Sequence, residues 1–153
     1  MRRDDMYYKR GFTLVELIVV LGVIGILAIG SVLAVGSTRK TSRDVLRLAH
    51  MKEVFFGLEL YFNENGDYPA GENIVLGSDQ ARCLDDAGFH PAGGCTGSVW
   101  LTNVMPNPAP GGASFVYSYD AGPPAAYRLG FSLEGDSAGL VRGAHVMRPS
   151  GIQ

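Results

Sequence analysis

Three rhythms of apolar and polar residues divide this chain of 153 residues. From Leu17 to Thr38 no residue is formally charged, a run of 22 positions. Wound into a helix at about 1.5 Å per residue, the run measures about 33 Å, enough to cross a hydrocarbon core of about 30 Å. Farther on, Leu48, Met51, Phe55, Leu58 and Phe62 recur at steps of three and four, which draws a single apolar stripe along a helix. Arg43, Arg47, His50 and Glu53 fall on a different face. No proline occurs before Pro69, and Asn65-Gly66 supplies a left-handed stop. The pattern predicts one helix from about Phe12 to Asn63, roughly 78 Å long.

Past residue 65 the rhythm changes. All eight prolines and 15 of the 21 glycines lie in residues 66–153, which predicts strands and turns. Ser114–Tyr119 alternates, with Phe115, Tyr117 and Tyr119 on one face. Ala126–Leu133 does the same with Tyr127, Leu129, Phe131 and Leu133, and Leu140–Met147 reads as a less regular last strand. Val99-Trp100-Leu101 is too short to assign. Three or four antiparallel strands with one apolar face need a partner, and the helix stripe is the available one. The expected class is α+β, with residues 70–98 as a long connection.

The residues ahead of the uncharged run sharpen the picture. A short leader carries Arg2, Arg3, Lys9 and Arg10 and ends in Gly11; Phe12-Thr13-Leu14-Val15-Glu16-Leu17 follows. An ordinary secretory signal places its small-residue cleavage site after the apolar core, so the core is lost. Here the small residue precedes it, and a cut there retains the helix. This arrangement resembles the prepilin signal of type IV pilins and type II secretion pseudopilins. The resemblance implies cleavage between Gly11 and Phe12 by a prepilin peptidase, N-methylation of Phe12, and a ladle-shaped pilin fold. It implies a leader at 1–11, a transmembrane and polymerisation helix at 12–38, its amphipathic continuation at 39–65 and a turn-rich head at 66–153. Self-assembly into a helical homopolymer follows, with an assembly ATPase and an inner-membrane platform protein as further partners. The precursor is expected to cross the inner membrane once, N-terminus inside, before joining an extracellular pilus or a periplasmic pseudopilus. The first expectation for function is a type IV pilus subunit serving adhesion, motility or DNA uptake. A major pseudopilin driving protein export and a non-polymerising anchored adhesin are the alternatives.

Glu16 then needs a reason. A carboxylate in a bilayer helix is costly, though less so near the interface. Either it stays hydrated there, or it pairs with the Phe12 amine of a neighbouring copy, as the family suggests. The glycines at 22, 25, 30 and 36 weaken the helix but permit close approach, and simple packing is one reading; the resemblance implies local melting between Gly25 and Gly30 in a filament, although this sequence lacks the proline many pilins carry there.

Charge adds little: the net is −2, and removing the leader's four basic and two acidic residues leaves −4. Arg39, Lys40, Arg43 and Arg47 read first as a solvated face or a headgroup contact. Contact with acidic positions of adjacent copies is a second reading. Without aromatic interleaving, nucleic-acid recognition gains little support. Cys83 and Cys95 are the only cysteines, in a part expected outside the cytoplasm, and read as one disulfide. A zinc site of Cys83, His90 and Cys95 with Asp85 or Asp86 is the competing reading, although the spacing fits no compact template. No metal or cofactor is otherwise expected; calcium on Asp120, Glu134, Asp136 and Ser137 is a weaker option, because no Asp-x-Asp run accompanies them. His50, His90 and His145 are scattered and read as surface or turn residues. With no nucleophile elbow or phosphate loop, an enzyme is not expected.

Overall fold

The computed structural model describes residues 11–109 and 114–153. Apart from Gly11, the expected leader lies outside the described residues. Two compact units are present, one ending at Thr38 and the other comprising Arg39–Gln153. A single helix, α1 (Leu14–Asn65), contributes to both.

In the first unit nothing from Leu14 to Ser31 is buried. The helix there is long and apolar enough to cross a membrane. Its glycines at 22, 25, 30 and 36 have no neighbour within 4 Å of where a Cβ would sit. In the single chain α1 continues without interruption through Gly25–Gly30, so the melting expected there, which concerns a filament, is not seen.

The second unit is the α+β arrangement expected. Its part of α1 buries Leu48, Met51, Val54, Leu58 and Tyr61. That corrects the predicted stripe. Steps of three outnumber steps of four, so the buried line winds around the helix and Val54 and Tyr61 enter the core. Phe55 is half-buried and Phe62 remains exposed, its ring stacked on Tyr68 at 4.7 Å. The helix ends at Gly66, whose φ of 73° needs no Cβ and whose N–H donates to the Phe62 carbonyl at 2.8 Å.

Eight strands follow: β1 (Ile74–Val75), β2 (Cys83–Asp85), β3 (Gly88–His90), β4 (Val99–Leu101), β5 (Val116–Asp120), β6 (Ala126–Leu133), β7 (Gly143–Arg148) and β8 (Gly151–Ile152). They form a five-stranded antiparallel sheet in the order β1-β5-β6-β7-β8 and a three-stranded one in the order β3-β2-β4. The three or four strands expected are therefore too few. β6 alternates as read, with Tyr127, Leu129, Phe131 and Leu133 all buried. β5 buries Tyr117 beside Phe115, while Tyr119 is only half-buried.

The connection at 70–98 is not structureless, since it holds β1, β2 and β3. These strands are two or three residues long, too short for any alternation to show. Val99–Leu101 is a strand because β2 pairs with it and because α1 offers it a notch. A Cβ on Gly57 would lie 2.5 Å from the Leu101 side chain. The glycine weakens the helix by about 1 kcal/mol but lets β4 approach.

Candidate functional site

The N-terminal site is built by a helix start. Thr13 is the residue before α1, and its Oγ1 accepts the Glu16 N–H at 3.2 Å while its carbonyl accepts the Leu17 N–H at 3.2 Å. That is an N-cap, and Thr13-x-x-Glu16 is the spacing of a capping box. The sequence held this signal, and reading the segment only as a cleavage motif left Thr13 without a role. Glu16 therefore occupies the first helical turn, where the positive end of the helix dipole favours a carboxylate. Phe12 is 82 % exposed and precedes the cap, with Gly11 before it.

The other expected residues lie in the second unit. Cys83 and Cys95 are joined by a disulfide, so neither offers a thiolate to zinc. Around it two aspartates tie down backbone. Asp85 accepts the N–H of Ala87 at 2.9 Å and that of Thr96 at 2.8 Å, and its carboxylate lies 3.1 Å from His90 Nε2. Burial alone would raise the Asp85 pKa; the two backbone donors and His90 outweigh it and hold the carboxyl below its ordinary value. Asp86 accepts the Ser98 N–H at 3.2 Å.

The arginines behave differently from expectation. Arg47 is fully buried, not solvated. It donates to Asp44 at 2.6 Å, to Asn107 Oδ1 at 2.7 Å and to the Pro108 carbonyl at 2.9 Å, and lies 2.6 Å from a Glu134 carboxylate oxygen. Arg43 grips Glu134 with two nitrogens, its Nε at 2.8 Å from Oε1 and an Nη on Oε2. Buried Asp44, one residue past Arg43, accepts the N–H of Glu134 at 3.0 Å and of Gly135 at 2.9 Å. This cluster fastens α1 to the turn after β6 and to the segment at 107–108. The hydrogen bond from Arg43, then those from Arg47, hold the Glu134 carboxyl far below its usual range, at about 2. The burial of Arg47 was invisible in the sequence because only Asp44 is local to it, while Asn107 and Pro108 stand 60 and 61 positions away and Glu134 farther still.

Glu134 is consequently committed to two arginines, which removes it from the set considered for calcium. Asp136 accepts the Arg142 N–H at 2.8 Å, and Ser137 pairs with Leu140 through the backbone. Among the described residues, no three His, Cys, Asp or Glu side chains gather to hold a metal. The histidines sit on regular elements instead of turns: His50 on α1 beside Phe115, His90 on β3, and His145 on β7.

The family described as the prokaryotic N-terminal methylation motif matches residues 6–37. The chain carries this motif, the signal of type IV pilins and pseudopilins. Comparison with curated proteins and with solved structures returned no match.

Proposed function

We propose that the chain is the structural subunit of a type IV pilus, cleaved between Gly11 and Phe12, methylated on Phe12 and polymerised through the first half of α1. The observation behind this reading is that, within the motif, every residue of α1 from Leu14 to Ser31 is exposed and only Glu16, at its start, is charged. An apolar surface of that extent needs either lipid or sibling helices. Cleavage would place a cationic amine at the positive end of the helix dipole, where it is disfavoured. Glu16 of a neighbouring copy, shifted by about one turn, would offset it in a low-dielectric bundle.

Glu16→Ala should leave cleavage and methylation intact, read by mass spectrometry of the mature N-terminus, and abolish fibres sheared from cells. Normal fibres from that variant would end the pairing idea. A mature product beginning after Thr38 would end the polymer reading. Shearing also separates a surface pilus from a periplasmic pseudopilus, which stays with the cell. An anchored adhesin would yield processed protein and no fibre.

A further inference from the structure

With Arg43 and Arg47 consumed inside the head, Arg39 and Lys40 are what remains of the basic cluster at 39–47, and exposed Lys52 stands apart, farther along α1. Both Arg39 and Lys40 are exposed and, among the described residues, neither has an ion pair. Within the same unit lies a cleft of about 670 Å³, bordered by Glu72, Asn73, Ser78, Asp79, Gln80 and Phe89. No basic side chain lines it. Arg128 borders an adjoining hollow with Glu72, but no ion pair joins the two. Both carboxylates are exposed and, among the described residues, neither has an ion pair; the amides and hydroxyl beside them offer further acceptors.

The two features lie at different heights along α1. Arg39 to Asn65 spans about 39 Å of helix. Gly71, next to Glu72, accepts the Tyr119 N–H, and the Tyr119 hydroxyl reaches Asp67 just beyond the helix end. Glu72 therefore belongs to the end far from Arg39. A cationic pole and an anionic cleft on one body are self-complementary between parallel copies displaced along their common axis, and a shared membrane orientation keeps copies parallel.

From this charge complementarity we infer that the cleft receives the Arg39-Lys40 pair of a second copy. The inference rests on the polymer reading above and adds the contact that sets the stagger between heads. Lys and Arg suit the site because each places a charge at the end of a long stem able to enter a cleft.

A charge exchange in the full chain, expressed in its own host, tests this. Arg39→Glu with Lys40→Glu should cut sheared-fibre yield by about tenfold or more through like-charge repulsion, and so should Glu72→Lys with Asp79→Lys. All four together should restore most of it. Formation of the Cys83–Cys95 disulfide and an unchanged melting curve in detergent establish that each variant folds. As a second measurement, Lys40→Cys with Asp79→Cys should give disulfide-linked ladders in wild-type-like fibres. Folded variants that assemble normally, a fourfold variant that gains nothing, or absence of ladders would overturn the docking while leaving the polymer reading intact. Loss of precursor from the membrane only in the Arg39/Lys40 variant would assign the pair to lipid headgroups and equally overturn it. If the wild-type chain forms no fibre at all, the polymer reading itself has failed.

Discussion

Replacing Glu134 by Gln is the sharpest perturbation of the head, because it removes one charge from a cluster whose every other member stays in place. The Glu134 carboxyl is lowered from 4.5 to about 2, chiefly by the Arg43 hydrogen bonds. Converted at about 1.4 kcal/mol per unit, that is roughly 3 kcal/mol of stability at neutral pH. The side chain is 17 % exposed, so some of it is screened, and about 2 kcal/mol is the expected loss. The variant also leaves Arg47 buried with Asp44 as its remaining acidic partner, which pushes the cost upward. The sign fixes the pH window. A depressed carboxyl contributes its stability above the unfolded pKa and loses it as pH falls, here from about 4.5 to about 2. Urea unfolding of the full chain in detergent should therefore give a lower midpoint for Glu134→Gln at pH 7. The gap from wild type should close as pH drops through that window. Working with the difference cancels other acids, including Asp85, that titrate in the same range. Equal midpoints at pH 7, or a gap that does not narrow in acid, would refute the reasoning.

Three further outcomes are expected. Replacing Cys83 and Cys95 by Ser opens a loop with a separation of 12 residues and should cost about 3 kcal/mol, measured as a lower melting temperature that reductant no longer changes. Gly77→Ala should cost about 3 kcal/mol in a denaturant titration, since φ is 74° and the new Cβ would lie 2.4 Å from the Pro106 backbone, which has no side chain to swing aside. Thr13→Ala should lower helicity at the start of α1 and cost about 1 kcal/mol, seen as faster amide exchange over the first turn, with the motif still cleaved.

What could be read from residue order alone follows the range of the interactions. The helix, its stop at Gly66 and the alternation of β6 are local patterns, and each was legible. The motif was legible because it is contiguous. The stripe was only partly so: Val54 and Tyr61 are buried by strands that sequence spacing cannot place. β1 to β4 escaped because two or three residues do not make a period. The arginine cluster escaped for a deeper reason. Charged residues at helical spacing normally face water, and only the turn after β6 and the segment at 107–108, both brought against α1 by the fold, make burial of Arg47 tolerable.

The cap at Thr13 has a consequence for maturation. The bond proposed for cleavage precedes the capping residue, so the Thr13 cap stays with the product when the leader departs. Precursor and product would then share one backbone geometry. What proteolysis changes is the chemistry of a terminus, a fresh amine in place of a peptide link. It would serve as a licence to associate, granted to a helix whose start is already capped.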